Sequence, residues 1–422
     1  MLTIRGKLIN YDSERYGEVS IDTGTGLIAK VGEPSGTTPD IDAGENLVFP
    51  GFGDVHVHAR EDMSGTQNYK EDFLTASQAA INGGVAFFAE MPNNPVAPVD
   101  DASYAAKERL AEKSLVPVFL YAGIGPDTRP LSRNVPYKAF MGPSVGDLFF
   151  RSEEELELAL VRYEGKQVSF HCENPAILTA HEHESTHEAR RPREAEVRAV
   201  EFALAMIEKY RLNGKICHFS AREGLPKIVE AKQKGIRVTC EVTPHHLYFD
   251  DTMLTPTYES GRADSNRKWL QMNPPIRTRE DRLAMIEALR NGDIDYLATD
   301  HAPHTREEKL KGISGVPHLD TYGAFTTWLM AKCGFTPMDI ARVCAYNPGL
   351  FVNQFLPARF GKGFGKIEEG YAGSLTIINP NAPRTVRRED LKTKCGWSPF
   401  EGVEFPGRVV HTIVGGKIMT NF

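Results

Sequence analysis

The sequence predicts an α/β protein: a (β/α)8 TIM-type barrel carrying a small β-sandwich domain made from the two chain ends. Three observations predict it. Through the middle of the chain, short apolar runs alternate with helical patterns. Polar residues recur at the C-terminal ends of those runs, and in a parallel barrel those ends converge on one face. Both chain ends instead read as short strands with no helices between them.

At the N-terminal end, "LTIRGKLIN", "GEVSID" and "GLIAKVG" are strand-like and broken by Gly, Asp and Thr. At the C-terminal end, "GSLTIINP" is strand-like, and "RVVHTIVGGKIMTNF" reads as a hairpin turning on Gly415-Gly416. Residues 1–50 and 366–422 are expected to pair into one composite β domain, leaving 51–365 as the catalytic barrel. Eight strand candidates follow within that span: "GFGDVHVH", "GVAFFAEMPN", "LVPVFLYAGI", "PYKAFMG", "KQVSFHCE", "KICHFS", "IRVTCEVTPHH" and "DYLATDHAPH". Helical stretches fill the gaps, among them "DDASYAAKERLAEKS". In "REAEVRAVEFALAMIEKY", Val197, Val200, Leu204 and Ile207 share a face. In "REDRLAMIEALRNG", Leu283, Ile286 and Leu289 are expected to do the same, with Gly292 ending the helix. An open doubly wound sheet is the alternative, but no Gly-rich phosphate loop follows the first run.

Composition narrows the function classes. The chain has 422 residues, 41% hydrophobic and 25% charged, with a net charge of -7. That is globular composition with ample core. The absence of a long basic block argues against nucleic acid or a membrane surface. Six scattered cysteines form no CxxC pair, which fits a reducing, cytoplasmic setting. The N-terminus has no signal-peptide pattern, and no run approaches ~18 apolar residues, so no membrane span is expected.

His56 and His58 stand at i and i+2, so a strand turns both to one face. Alone, that pair is a weak sign of a metal. His171 in "VSFHCE", His218 in "KICHFS" and Asp300 in "LATDHAPH" strengthen it, because each ends a run. A buried aspartate after an apolar run is costly unless paired or coordinating. Lys138 in "VPYKAFMG" is the odd member, since an ammonium repels a metal centre. A solvated lysine is the plain alternative. If CO2 adds to its amine, the carbamate offers two oxygens able to bridge ions about 3.5–4 Å apart. Arg60 offers a planar fork for a carboxylate; an ion pair with Glu61, Asp62 or Glu71 is the alternative. The tract "HEHESTHE" (His181, His183, His187) reads as an exposed or loop-supporting helix start. His245 and His246 read as supporting hydrogen-bond groups.

The string "ATDHAPHTREEK", residues 298 to 309, resembles the dihydroorotases of the amidohydrolase superfamily. "GDVHVHAR", "MPNNPVAP", "FHCE", "ICHFS", "VTCEVTPHHL", "QMNPPIR" and "CGWSPFEG" resemble family segments in the family's order, over roughly residues 48 to 422. The resemblance implies a binuclear zinc site. His56, His58 and Asp300 would hold one Zn2+, His171 and His218 the other, and a carboxylated Lys138 would bridge them. Some dihydroorotases bridge with an aspartate instead. Glu241 resembles a glutamate implicated in an additional metal site in some members; a carboxylate orienting a histidine is the alternative. The implied reaction is the reversible cyclisation of N-carbamoyl-L-aspartate to L-dihydroorotate in pyrimidine biosynthesis, with Asp300 as general acid and base. Arg60, Asn93 and His304 would bind the substrate carboxylate, with Asn273 near the ring.

Two other functions stay open. Dihydropyrimidinases and hydantoinases share the chemistry but generally lack this arginine and the DHAPH string. An inactive dihydroorotase-like partner of a transcarbamoylase would have lost ligands, and the matched ones are all present. A homodimer is the default assembly. Three segments depart from the family pattern. "EDM" follows HxHxR where "EPG" is usual. "GVPHLDT" has His318 where glycine is usual and Asp320 where glutamate is usual. "GPSVGDLFF" falls where relatives carry a mobile loop.

Overall fold

The computed structural model of the chain describes residues 1–142, 148–254 and 266–419. It begins with β1 (Leu2–Ile9), β2 (Glu14–Asp22), β3 (Leu27–Gly32) and β4 (Ile41–Pro50). Leu2, Ile4 and Leu8 alternate inward along β1, the period of a half-buried strand. β1 pairs antiparallel with β2, Leu2 facing Ile21 and Ile9 facing Glu14. β4 lies parallel to β1 on its other side. β4 was not expected, because Gly44, Glu45 and Asn46 break its apolar pattern.

Nine short parallel strands follow: β5 (Phe52–Val57), β6 (Val85–Glu90), β7 (Val118–Leu120), β8 (Ala122–Gly123), β9 (Tyr137–Phe140), β10 (Gln167–His171), β11 (Asn213–Ile216), β12 (Val238–Val242) and β13 (Tyr296–Leu297). Every residue of β5, β6, β9 and β10 is buried. Burial on both faces is why these strands read as apolar runs rather than alternating ones. β5, β6 and β7 form one sheet, and β8 to β13 run in sequence order through another. Backbone contacts lie at both margins. Tyr121, between β7 and β8, donates from its backbone N to Glu90 O at 2.9 Å. At the other margin, His58 N donates to His301 O at 2.8 Å, and Val57 bridges His301 in parallel. Each of the eight predicted runs overlaps a strand, though the third is divided at Tyr121, the sixth shares only Lys215 and Ile216 with β11, and the eighth holds a strand of only two residues.

The expected helices form at Asp101–Ala111, Arg193–Lys209 and Arg279–Asn291. Thr278 caps the last with a capping box, and Gly292 ends it at φ 89°. One expectation fails there. Leu283 is exposed, and the buried face is Met285, Ile286, Ala288 and Leu289. In the "HEHESTHE" tract, His183 is exposed and His187 bonds Met272 O at 2.9 Å.

The C-terminal strands are β14 (Leu375–Asn379), β15 (Arg384–Thr385), β16 (Glu404–Phe405), β17 (Arg408–Val414) and β18 (Lys417–Met419). β14 pairs with β4, which places N- and C-terminal strands in one seven-stranded sheet, ordered β18-β17-β14-β4-β1-β2-β3. The β17–β18 hairpin turns on Gly415 and Gly416, at φ 54° and 76°. This sheet has its own apolar cluster, including Ile4, Val19, Ile21, Val48, Ile377 and Ile413. Gly51 N donates to Ser374 O at 2.7 Å, joining this sheet to the start of β5. No described helix is long and apolar enough to cross a membrane. Within "GPSVGDLFF", residues 143–147 lie outside the described residues.

Candidate metal and substrate site

The predicted ligands stand at or just beyond the C-terminal ends of parallel strands, except Lys138, which lies within β9. His56 lies in β5 and His58 just past it, with ring centroids 5.3 Å apart. β10 ends on His171, and His218 follows β11 by two residues. Lys138 sits opposite Ser169, one two-residue step below the His171–Phe140 pair and on the same face. Among the described residues, four non-glycine positions have positive φ, and three are Arg60 (63°), His218 (34°) and Asp300 (48°). Such conformations cost on the order of 1–3 kcal/mol each and persist where surrounding contacts impose them. Here they turn site side chains inward at strand ends.

Asp300 Oδ1 lies 3.0 Å from His58 Nε2 and 3.2 Å from His56 Nε2. The donor atoms of these three residues fall within 4.8 Å of one another. His171 Nδ1 and His218 Nε2 are 2.9 Å apart. The His56 and His218 rings, 5.3 Å apart, join the two groups. Lys138 is wholly buried, and its Nζ donates to Cys217 Sγ at 2.7 Å. It forms no ion pair among the described residues.

Of the supporting groups, the sequence offers Glu241, as a further metal ligand or as a carboxylate orienting a histidine; Glu173, Asp54 and Lys215 escape it. Glu241 bonds His56 Nδ1, accepts from His218 N at 3.1 Å, and pairs with the wholly buried Lys215. It therefore orients His56. With His56 and Cys217 it also forms a second group of donor atoms within 4.8 Å. Glu173 Oε2 lies 2.8 Å from His171 Nε2 and is held by Arg191. Asp54 accepts from His56 N and Thr299 N, both at 3.1 Å, tying β5 to the segment before Asp300. The available signal was a charged residue inside an apolar run, as in "GDVHVH" and "GKICHFS". A cavity of about 650 Å³ opens beside Arg191, lined also by Phe150, Leu178 and Gln271.

These residues fit a metal centre. Burial pulls the His56, His58 and His218 imidazoles well below their ordinary pKa, which keeps them in the neutral form that ligates metals. His218 Nδ1 is buried with no hydrogen-bond partner among the described residues. Imidazole and carboxylate donors of this kind suit zinc.

Arg60 is also buried. Its Nη2 lies 3.2 Å from His304 Nε2, and its Nε donates to Pro303 O at 3.3 Å. None of the ion pairs weighed with Glu61, Asp62 or Glu71 forms among the described residues. His304 is flanked by Glu308 and Lys70, each 3.3 Å from its Nδ1, and burial lowers its pKa to about 3. Asn93 is buried beside His58 and bonded to it. Asn273 Oδ1 is buried with no partner among the described residues. His245 bonds His318 at 2.8 Å; His246 bonds Thr243 Oγ1 at 2.8 Å and Pro274 O at 3.2 Å. Asp320 accepts from Asn82 Nδ2 and Lys392 N, both at 2.7 Å, so it anchors the C-terminal segment.

Residues 149–419 match the amidohydrolase family. This chain belongs to the amidohydrolase family. A dihydroorotase from Thermococcus kodakarensis is 30% identical to this amidohydrolase over 427 residues, covering 99% of the chain and 94% of the relative. One from Staphylococcus aureus is 30% identical over 437 residues, covering 98% and 97%. Among solved structures, an L-hydantoinase (dihydropyrimidinase) from Arthrobacter aurescens superposes with a TM-score of 0.85 at 22% identity, covering 99% of this amidohydrolase and 95% of that chain. A dihydropyrimidinase from Brevibacillus agri gives 0.81 at 21%, covering 99% and 94%. At those identities the likeness speaks to the fold.

Proposed function

We propose that this chain is a dihydroorotase, interconverting N-carbamoyl-L-aspartate and L-dihydroorotate in pyrimidine biosynthesis. The observation that carries this reading is Arg60, buried against His304 beside the His56–His58–Asp300 cluster. A buried guanidinium fork next to candidate metal ligands suits a substrate bearing a carboxylate on a cyclic amide. The near full-length match to dihydroorotases supports the same reading.

His56, His58 and Asp300 would hold one zinc ion and His171 and His218 the other, with a carboxylated Lys138 between them. Two such ions, when bound, polarise a carbonyl and lower the pKa of water toward about 7. Asp300 accepts a proton from the attacking water and delivers it to the departing ring nitrogen; in the cyclising direction it is the general acid. Arg60, Asn93 and His304 bind the substrate carboxylate, and Asn273 faces the ring. Glu241 and Glu173 fix the orientation of His56 and His171.

The fold supports this use. We read the nine parallel strands as a closed eight-stranded barrel, β7 and β8 being one stave and the His58–His301 contact the seam. Residues 51–365 form that barrel, and 1–50 with 366–422 form the small β-sandwich domain. A homodimer in the cytoplasm is the expected setting. The test is an assay of the zinc-loaded protein with L-dihydroorotate, hydantoin and dihydrouracil. Turnover of dihydroorotate in preference to the other two is expected. Turnover of hydantoin or dihydrouracil with dihydroorotate untouched would move the chain to the hydantoinase reading. Inactivity toward all three would revive the role of inactive transcarbamoylase partner.

A further inference from the structure

His245 and His318 form a buried imidazole pair. Their rings stack at 19° with centroids 5.0 Å apart, and His245 Nδ1 lies 2.8 Å from His318 Nε2. The outward nitrogens, His245 Nε2 and His318 Nδ1, are buried with no hydrogen-bond partner among the described residues. An orphaned buried nitrogen is costly unless a ligand or an ordered water meets it.

The pair stands against the site. Val316 bridges His301 in parallel, and Ala302 N donates to Val316 O at 2.9 Å. His318 N donates to His301 Nδ1 at 3.0 Å. The segment 315–318 therefore runs along the strand end that carries Asp300. At its start, a Cβ on Gly315 would fall 2.9 Å from His304 Cδ2, so the segment touches the carboxylate pocket. On the other side, His246 bonds Pro274 O, next to Asn273.

Tautomer counting fixes what the pair presents. Two neutral imidazoles carry two N–H groups between them, and one lies in the bond they share. The ring accepting that bond must carry its own proton outward, and the donating ring must present a bare nitrogen. Whichever tautomer forms, the two ends show one donor and one acceptor, and no charge. Burial favours the neutral form of both rings.

We propose that His318, held by His245, is a specificity-determining residue that hydrogen-bonds the uncharged ureide face of the substrate ring. A cyclic ureide alternates N–H and C=O along its edge, so His318 Nδ1, the one nitrogen of that ring with no partner among the described residues, meets a C=O in one tautomer and an N–H in the other, uncharged in both. Arg60 and His304 take the carboxylate, and His318 reads the ring. The inference rests on the dihydroorotase reading.

The test measures kcat and KM for L-dihydroorotate in the zinc-loaded wild type, His318→Ala and His318→Gln, together with thermal midpoints. Histidine side-chain 15N spectra are recorded with and without substrate. His318→Ala is expected to raise KM about tenfold, with kcat changed less than about threefold. The midpoint should hold, and His318→Gln should recover much of the loss. Substrate should shift the His318 Nδ1 signal. An unchanged KM in His318→Ala, or a lower midpoint with no recovery in His318→Gln, would overturn the proposal. If the wild type turns over only hydantoin or dihydrouracil, the dihydroorotase reading fails separately. The same variants are then measured on that substrate, where a KM rise keeps the ring contact and its absence removes it. If the wild type turns over none of the three, both readings fall.

Discussion

Arg60 Nη2 and His304 Nε2 lie 3.2 Å apart in the interior, although 244 positions separate them in the sequence. His304 is kept neutral, so it can accept from the guanidinium without opposing its charge. Arg60→Gln should therefore raise KM for dihydroorotate by roughly 10- to 100-fold, the loss of a charge-assisted pair, with a smaller change in kcat. Steady-state kinetics in the ring-opening direction checks this.

Lys138 makes no ion pair among the described residues; its Nζ meets Cys217 Sγ and the Phe140 ring, 5.2 Å away, and the nearby Asp300 acts on it only through space. A bare buried ammonium in that setting is costly. Protein loaded with zinc in 13C-bicarbonate should show a carbamate 13C resonance that Lys138→Arg lacks. Its absence from active protein would rule out the bridging carbamate.

Lys309, the last residue of the DHAPH string's motif, is buried and donates to three backbone carbonyls: Gln271 and Ile313 at 2.8 Å and Gly315 at 2.9 Å. It clamps the segment before Asn273 to the one that reaches His304. Lys309→Met leaves those carbonyls unpaired and should cost about 3 kcal/mol of stability. Urea unfolding measures the loss.

Burial lowers the pKa of His246 to about 4 and of His304 to about 3. Unfolded, each takes up a proton near pH 6.5. Below that pH the unfolded chain binds more protons than the folded one, so stability falls as pH falls. The slope is about 1.4 kcal/mol per pH unit for each such histidine, continuing until the folded pKa is reached. Urea unfolding at pH 7, 6 and 5 should show this decline, and His246→Gln should flatten it by one histidine's share.

Much of this was legible in the sequence because strand ends carry the chemistry. His56, His58, His171, His218 and Asp300 each closed an apolar run, and the structure brings them together. The hairpin on Gly415-Gly416 and the helix stop at Gly292 followed from backbone conformations that glycine supplies. What escaped depended on contacts between distant segments. β4 lost its pattern to Gly44, Glu45 and Asn46, yet it joins the two chain ends. Lys215 and Glu241 neutralise each other between the neighbouring strands β11 and β12, a pairing that separate strands do not announce. Leu283 fell near the helix's apolar stripe but outside the packed face. Asp320, a departure from the family pattern, proved to anchor residues 392 and 393.

Binding of two metal ions by His56, His58, Lys138, His171, His218 and Asp300 is the step from which the other proposals follow. Its most direct test is the zinc content of freshly purified, folded protein, measured by mass spectrometry alongside activity. About two zinc ions per chain are expected. Full activity in protein that holds no divalent metal would contradict it.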